Sequence, residues 1–552
     1  MKFQLEHDWQ GNLATPRARI GEKAKTRLLI LLCAIWLCMG LVGHEPWKQD
    51  EPQGISLVKS MLDDGNLIAP LAAGQTVIDN PPLYYLSAAG FAKLLTPLLP
   101  MHDAARLVSG LWMALTLLLV GMSGRELWGL GAGRQTTFIF LGSLGLVVTA
   151  HVLMAEVAAL TACAMGLYAL ALSQRRPYRA ALLLGSGIGI GFLSTGLLPA
   201  MIIALSAMLL PLLFRSWRSR SYAVAAGLGL LVAIPWLAIW PLLCWLTAPE
   251  QLLAWWRADI QQFDNLNHYY FLRTLAWYAW PSLPLAIWGL WRFRPLLLKN
   301  RQFQLLIVFF AATFALIGFA ADTREVYAMP LLLPLAIFAG GAVDTLRRGA
   351  AGALNWFGII LFGMMGFLIW LGWFAMMTGW PAKLAERMHF LSGIAEPHFH
   401  WLSFLAALGI TLVWLAVVAN AKRSNRAAIN DWAVGITMAW SLLMTIWLPW
   451  IDSARSYAPV MNGIKAALPP GFACMTSRNL GSAQHALLDY YAGVQAQPFE
   501  IVQRLDCDLY LLQDERGQKK IEPGPDWHLI WHGKRVTDRR ESFRLYQRNT
   551  AD

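Results

Sequence analysis

The sequence predicts an α-helical protein that crosses a membrane many times and carries a small α/β domain at its C-terminus. Of its 552 residues, 57% are hydrophobic and only 14% are charged, which is far more apolar than an ordinary soluble enzyme. Long apolar runs recur up to about residue 450, whereas residues 451–552 alternate short apolar runs with polar ones. We therefore divide the chain into a membrane part, 1–450, and a C-terminal part, 451–552.

The membrane part contains thirteen apolar segments that are candidates for membrane-spanning helices. A span needs about 20 mostly apolar residues, or somewhat fewer where polar or aromatic side chains anchor its ends. The candidates are 27–43, 104–124, 134–149, 152–172, 179–194, 196–214, 222–242, 274–292, 302–320, 326–343, 353–377, 400–419 and 432–450.

The distribution of positive charge orients these spans. If the N-terminus is cytoplasmic, every inside loop is basic, and the outside loops are nearly uncharged or of mixed charge, as the positive-inside rule requires. The net charge of +12 is then explained by the basic inside loops and does not indicate a nucleic-acid partner. A signal peptide is the alternative for the first span, but no small-residue cleavage site precedes Gly43. An odd number of spans exports residues 451–552.

The exported C-terminal part is predicted to be a small α/β domain. Its runs "FACMTS", "DLYLLQ", "WHLIWHG" and "SFRLYQR" are typical of strands, and "SAQHALLDYY" is typical of a helix. Cys474 and Cys507 lie here, where an oxidising compartment permits a disulfide, although two separately buried thiols fit the spacing as well. The other four cysteines lie within or beside apolar spans and are expected to be packing residues.

The first outside loop, residues 44–103, is too long to be a plain connection. Within it, "QGISLVKSML" (53–62) places Ile55, Val58, Met61 and Leu62 on one helical face, which predicts a helix lying in the membrane interface. A second helix is expected after Pro81-Pro82. The loop 251–273 begins "QLLAWWRADIQQF" and offers a third amphipathic segment.

Two pairs of polar residues in the first loop are candidates for chemistry. Asp50 and Glu51 follow the first span, where a carboxylate can accept a proton or bind a divalent ion; the alternative is a solvated pair beside Lys48. Asp79 and Asn80 precede two prolines that stiffen a helix entry; the alternative is a simple helix cap. The sequence contains no Walker loop, Gly-rich dinucleotide motif or close His/Cys cluster, so it gives no support to nucleotide-driven transport.

The stretch "KQDEPQGISLVKSMLDDGNLIAPLAAGQTVIDNPPLYY" resembles the first exported loop of bacterial aminoarabinose transferases and of the wider protein O-mannosyltransferase-like superfamily. The shared features are the Asp-Glu pair, a helix ended by a Gly-Asn turn, and an acidic residue before Pro-Pro-Leu-Tyr-Tyr. Weaker matches are "AHVLMAEVAAL", with His151 and Glu156 where Arg and Asp are usual, "DNLNHYYFLRTLAWYAW", with His268 and Arg273, and "TREVYAMP", with Tyr327.

This resemblance implies a GT-C type integral membrane glycosyltransferase with about thirteen transmembrane helices in the bacterial inner membrane. Its N-terminus would be cytoplasmic, its C-terminus periplasmic, and the chain a monomer. The implied donor is a sugar on undecaprenyl phosphate, and the implied transfer is of 4-amino-4-deoxy-L-arabinose to lipid A or a related envelope acceptor. A divalent metal ion, held by Asp50 and Glu156, is a candidate cofactor.

The resemblance also suggests a role for each candidate residue. Asp50 would be the base, or the acid that orients the acceptor, and Glu51 and Glu156 would hold the site. Arg273 with His268 would stabilise the leaving phosphate. The other candidates for binding the donor phosphate or the substrate are Asp79, Asn80, Tyr84, Tyr85, Arg324 and Tyr327.

Two departures from the family pattern affect the substrate. The usual Lys before Pro-Pro is Asn80, and a cation expected after the fifth span is Thr195. Either Arg273, Arg324 or a metal replaces these charges, or the donor and acceptor differ from aminoarabinose and lipid A. The alternatives left open are a protein or polysaccharide O-glycosyltransferase of the same superfamily, a transporter or flippase of lipid-linked sugars, and a non-catalytic scaffold.

Overall fold

The computed structural model describes residues 22–74, 80–264, 266–394, 398–420, 424–503, 506–515, 522–535, 537–538 and 540–549. Each of the thirteen predicted spans overlaps one or more helices. The helices are α1 (Glu22–Cys38), α2 (Glu51–Asp63), α3 (Leu83–Leu95), α4 (Met101–Trp128), α5 (Ala132–Leu141), α6 (Leu146–Thr149), α7 (Glu156–Leu172), α8 (Pro177–Thr195), α9 (Leu197–Leu213), α10 (Arg220–Thr247), α11 (Pro249–Gln261), α12 (His268–Tyr278), α13 (Ser282–Arg292), α14 (Arg301–Ala320), α15 (Met329–Ala342), α16 (Arg348–Thr378), α17 (Ala382–Ser392), α18 (Trp401–Asn420), α19 (Asn425–Leu442), α20 (Leu448–Arg455), α21 (Ala458–Ala467), α22 (Ser482–Ala492) and α23 (Phe499–Val502).

Among the described residues, seven helical segments are long and apolar enough to cross a membrane. They are Met101–Trp128, Arg220–Thr247, Arg301–Ala320, Glu325–Thr345, Arg348–Thr378, Trp401–Asn420 and Asn425–Arg455. The apolar helices α7 and α9 are shorter. The predicted polytopic helical membrane fold is confirmed, and the number thirteen stays a prediction.

Two of the predicted spans are broken rather than continuous. The segment 134–149 is divided into α5 and α6, and 274–292 is divided into α12 and α13. Backbone groups freed at the two breaks form hydrogen bonds with each other. The amides of Leu144 and Gly145 donate to the carbonyl oxygens of Trp280 and Tyr278 at 3.0 and 2.9 Å respectively. Irregular backbone at membrane depth is tolerated where protein groups replace the missing hydrogen bonds. Gly145 is required here, because a Cβ would meet the Tyr278 ring at 2.3 Å.

The centre of the membrane part is α7, which is buried along most of its length and packs against α4 and α8. On the other side, α8 packs closely on α10. A Cβ at Gly185 would lie 2.4 Å from the carbonyl oxygen of Gly229, so only glycine permits this approach. Small residues bring helices together in this way inside membranes, where packing rather than the hydrophobic effect drives association.

The helices predicted in residues 44–103 and 251–273 are present as α2, α3 and α11. The apolar face of α2 differs from the prediction in its partner. Ile55, Val58 and Met61 are buried against protein, in a cluster that includes Tyr84 and Tyr85 of α3. The spacing of the apolar residues was sufficient to predict helix α2. It could not predict what packs against the apolar face of that helix, because lipid and a neighbouring helix are equally apolar.

The C-terminal part contains a five-stranded sheet, as the strand patterns predict. The strands are β1 (Met475–Arg478), β2 (Gln497–Pro498), β3 (Leu509–Glu515), β4 (Trp527–Gly533) and β5 (Glu541–Arg548), in the order β2-β1-β3-β5-β4. The pairs β1–β2 and β1–β3 are parallel, and β5 is antiparallel to β3 and β4. Cys474 and Cys507 form a disulfide at the entry to β1 and β3, with their Cα atoms 4.9 Å apart.

The sheet domain is attached to the first loop through α22. The Lys59 ammonium of α2 donates to Asp489 Oδ1 at 2.8 Å and to its carbonyl oxygen at 2.9 Å. Ser56 Oγ donates to Asp489 Oδ2 at 3.3 Å, and the Tyr491 hydroxyl donates to the Glu45 carboxylate. The domain thus holds α2 from the side opposite the membrane helices.

We expect Lys59→Met to lower the free energy of unfolding by about 1–3 kcal/mol, because the buried Asp489 carboxylate would lose its charged donor. Unfolding of the detergent-solubilised chain measures this. Lys465→Met, at an exposed lysine of α21, is the matched control and should stay within about 0.5 kcal/mol of the parent. Equal losses in the two variants would contradict the attachment of the domain through Asp489.

Candidate active site

The two neighbouring carboxylates of the first loop point to different places. They lie at the start of α2, where successive side chains are about 100° apart around the helix axis. Asp50 is half-buried and lines a cavity, whereas Glu51 is directed into the protein and is 1% exposed. One carboxylate therefore faces the cavity, and the other holds the loop.

Glu51 is held by a buried network centred on Arg106 of α4. Arg106 Nε donates to Glu51 Oε1 at 2.7 Å, and its Nη1 donates to Asp103 Oδ1 at 2.7 Å. The amides of Trp47 and Leu153 also donate to Glu51, at 2.8 and 3.1 Å. Burial alone would raise the pKa of Glu51, but the charge of Arg106 and these hydrogen bonds keep its pKa below the ordinary value.

The same network fixes the backbone before Asp50. Arg106 also donates to the carbonyl oxygens of Leu41 and His44, and Asp103 Oδ2 accepts from the amide of Gly43 at 2.9 Å. The segment that leads from α1 to α2 is thus bonded to α4 at several points. Sequence reasoning missed Arg106 and Asp103, although the i, i+3 ionisable pair in "HDAARL" at the start of a span was the available signal.

The cavity beside Asp50 has a volume of about 310 Å³ and collects residues from loops and helices that are far apart in sequence. Its apolar wall comes largely from α9 and from residues 317–330. Its polar lining residues are Asp50, Gln53, Asn80, Tyr85, Glu156, Thr195, Asp259, Gln262, Asp322, Arg324 and Tyr327.

The main polar contact in the cavity is an ion pair between Asp50 and Arg324. The Arg324 guanidinium donates to Asp50 Oδ1 and lies over the Tyr327 ring, 5.9 Å from its centroid. Burial would lower the pKa of Arg324, but the Asp50 charge and hydrogen bond outweigh burial and raise it. Arg324 is therefore a permanent cation that an anionic ligand entering the cavity would meet.

Carboxylates outnumber cations in the cavity lining. Glu156 lies in the first turn of α7 and forms no salt bridge with the residues that the structure describes. Asp259 of α11, which sequence reasoning also missed, accepts the Leu197 amide at 3.0 Å and so caps the start of α9. Burial raises the pKa of Asp259. With Asp50 and Asp322, these make four carboxyl groups beside one guanidinium among the lining residues that the structure describes.

The structure does not bring all the predicted site residues to this cavity. Asn80, Tyr85 and Tyr327 line it, whereas Asp79 lies outside the described residues. Tyr84 is buried elsewhere, with its hydroxyl 2.6 Å from Ser109 Oγ.

The expectation that Arg273 lines the same cavity as Asp50 is not met. His268 packs against Phe319, with ring centroids 4.7 Å apart, and neither residue belongs to the cavity lining. Arg273 is exposed on α12. Five residues along a helix are about 140° apart, so a helix that turns His268 towards α14 turns Arg273 away from it. Arg324 occupies the cationic position instead.

The structure gives no geometric support to a metal ion. The described residues contain no group of three or more His, Cys, Asp or Glu side chains arranged to hold one. Asp50, one of the two candidate ligands, is paired with Arg324. His151, where the family has Arg, is 2% exposed, and its Nδ1 and Nε2 lie 2.8 Å from the carbonyl oxygens of Val147 and Trp36 respectively.

Comparison with known proteins identifies relatives along almost the whole chain. An undecaprenyl phosphate-alpha-4-amino-4-deoxy-L-arabinose arabinosyl transferase of Pseudomonas aeruginosa is 27% identical over 528 residues, covering 89% of this chain and 86% of that protein. The enzyme of the same name from Serratia proteamaculans is 23% identical over 525 residues, covering 91% and 88%. No family model matches the chain. The predicted resemblance to aminoarabinose transferases is confirmed by these relatives.

The fold agrees with a solved structure of the same kind. The crystal structure of ArnT from Cupriavidus metallidurans bound to undecaprenyl phosphate superimposes with a TM-score of 0.69 at 15% identity, and the match covers 95% of this chain and 98% of that one. The predicted fold class is therefore confirmed.

Arg106→Lys is expected to lower the free energy of unfolding by about 2–5 kcal/mol. An ammonium keeps the charge but cannot contact Glu51, Asp103 and two carbonyl oxygens together, so buried acceptors would be left unpaired. Unfolding midpoints in detergent measure the loss. Arg347→Lys, at an exposed arginine, is the control and should be neutral. An unchanged midpoint for Arg106→Lys would contradict the anchoring role of the network.

Proposed function

We infer that this chain is a membrane glycosyltransferase of the bacterial aminoarabinose transferase family, which takes its sugar from a polyprenyl phosphate. The observation that carries this inference is the pairing of Asp50 with Arg324 in a cavity that is lined in part by the loop that resembles the family. The relatives that span 89% of the chain support it. The alternative function outside the glycosyltransferases is transport or flipping of lipid-linked sugars. A non-catalytic scaffold would not need the pair of Asp50 and Arg324 in a cavity.

Transfer needs one new bond, one broken bond and support for the charge that leaves. The acceptor oxygen bonds to the anomeric carbon of the sugar, and the bond from that carbon to the lipid phosphate oxygen breaks. Asp50 takes the proton of an acceptor hydroxyl, or orients an acceptor that is already ionised. Arg324 stabilises the phosphate as it leaves with both bonding electrons.

The ion pair suggests an order of events. While the Arg324 guanidinium donates to Asp50 Oδ1, that oxygen is occupied and is not open to the hydroxyl of an acceptor. A donor phosphate that enters the cavity competes with Asp50 for Arg324, since arginine binds phosphate and carboxylate with the same fork of donors. Binding of the donor would thereby release Asp50 to act on the acceptor.

The relatives suggest a donor and an acceptor for this chain. We propose undecaprenyl phosphate carrying 4-amino-4-deoxy-L-arabinose as donor and lipid A, or a related envelope molecule, as acceptor. Protein or polysaccharide O-glycosylation is the alternative that Asn80 and Thr195 keep open, because the family's lysines are absent at both positions. Arg324 supplies the cation that those lysines would supply.

We also propose the orientation and the division of the chain. The site would face the periplasm of the bacterial inner membrane, with the N-terminus in the cytoplasm, residues 1–450 as the catalytic membrane domain and residues 451–552 in the periplasm. The basic loops at the other membrane face support this orientation. Asp79, which precedes Asn80 of the cavity lining, stays a candidate for binding the donor.

Asp50→Asn is expected to lower sugar transfer by about 10²–10⁴-fold, because the amide cannot accept the acceptor proton. The assay follows sugar transfer from a radiolabelled polyprenyl-phosphate donor by the purified chain. Asp63→Asn, at an exposed carboxylate at the end of α2, is the matched control and should keep full activity. Full activity in Asp50→Asn, with a normal unfolding midpoint, would remove the assigned base.

Arg324→Gln and Arg273→Gln separate the two candidate cations. We expect Arg324→Gln to lower kcat by about 10- to 10³-fold, since the leaving phosphate loses its charged donor. Arg273→Gln should change kcat by less than about twofold, because Arg273 lies outside the cavity lining. The opposite ranking would favour Arg273 as the phosphate partner, as the sequence motif suggests.

A further inference from the structure

A second cleft, of about 380 Å³, lies at the other end of α4. Its lining includes Arg125, Glu126, Leu130, Tyr168, Arg175 and Arg176. On α4, Arg125 follows Arg106 by nineteen residues, which is roughly 28 Å along the helix axis. This rise is close to the hydrocarbon thickness of a bilayer, about 30 Å. The cleft therefore lies at the membrane face opposite the Asp50 cavity.

The cleft is positively charged. It contains three guanidinium groups and one carboxylate. Arg175 Nη1 donates to Glu126 Oε1 at 3.0 Å, while its side chain remains 74% exposed. The side chains of Arg125 and Arg176 are exposed and form no hydrogen bond or ion pair with the described part of the chain. Two arginines are thus available to a ligand, and their fork of donors fits a phosphate group.

Apolar side chains lie beside these arginines. Leu130 is 82% exposed and Met122 is 37% exposed, and both line the cleft. Gly129 ends α4 with a φ of +91°, and its amide donates to the Arg125 carbonyl oxygen at 2.9 Å, so Leu130 immediately follows the turn. A soluble phosphate compound has no apolar chain that could contact the exposed Leu130. A phospholipid has a phosphate group and, next to it, apolar acyl chains. These match the arginines of the cleft and the apolar side chains beside them.

We propose that the cleft binds the headgroup of an anionic phospholipid of the cytoplasmic leaflet. Its phosphate would lie between Arg125 and Arg176, and the first carbons of its acyl chains would contact Leu130 and Met122. The proposal rests on the topology given under Proposed function and is independent of the glycosyl-transfer chemistry.

Native mass spectrometry of the full chain in detergent tests this, with phosphatidylglycerol and phosphatidylcholine as the probes. We expect the parent chain to retain phosphatidylglycerol in preference to phosphatidylcholine. The double variant Arg125→Gln/Arg176→Gln should bind phosphatidylglycerol at least about tenfold more weakly, since each arginine near a membrane surface contributes to attraction of anionic lipid. Arg347→Gln/Arg348→Gln removes the same charge from the same predicted face, outside the cleft, and should change binding less than about twofold.

Equal weakening in the two double variants, or full binding by the cleft variant, would overturn the proposal. Displacement of the lipid by inorganic phosphate at a similar concentration would overturn the lipid assignment. If the glutamine variant does not fold, Arg125→Lys/Arg176→Lys keeps the charge but loses the fork of donors, and weaker binding by that variant is again the expected result. Sugar transfer is measured in parallel. Its absence in the parent chain would refute the proposed function without bearing on the cleft.

Discussion

The bonds between Arg106 and the carboxylates of Glu51 and Asp103 are the interaction on which the rest of the site depends. Burying charged groups costs several kcal/mol for each ion unless they are paired and fully hydrogen-bonded. Here backbone groups of residues 41–44 complete the pairing, so the segment that leads into the first loop is fixed to α4. Asp50, the residue before Glu51, is placed at the cavity as a consequence.

The C-terminal domain adds a second restraint on the same helix. α2 packs against α3 through its apolar face and is bonded to Asp489 of α22 through Ser56 and Lys59. A rigid helix that starts at Asp50 is a better support for the proposed base than a loop, because catalysis loses much of its rate when a group moves by about 1 Å. The domain therefore contributes to the site without lining it.

The helices and strands were predicted from the sequence more accurately than the contacts between them. Period and composition were sufficient for α2, α3, α11 and the strands of the tail, because local side-chain patterns determine these elements. The breaks within two predicted spans depend on hydrogen bonds between residues 144–145 and residues 278–280, which are far apart in sequence. In the site, the motif predicted Asp50 and Glu156, whereas the choice of Arg324 over Arg273 depends on the rotation of α12, which no local pattern reveals.

The central claim is that Arg324, released from Asp50, receives the phosphate of the donor. An electron cryo-microscopy structure of the full chain with undecaprenyl phosphate tests this most directly. We expect the lipid phosphate within hydrogen-bonding distance of the Arg324 guanidinium, with the Asp50 carboxylate turned free into the cavity. A phosphate bound at Arg273, with the pair between Asp50 and Arg324 intact, would contradict it.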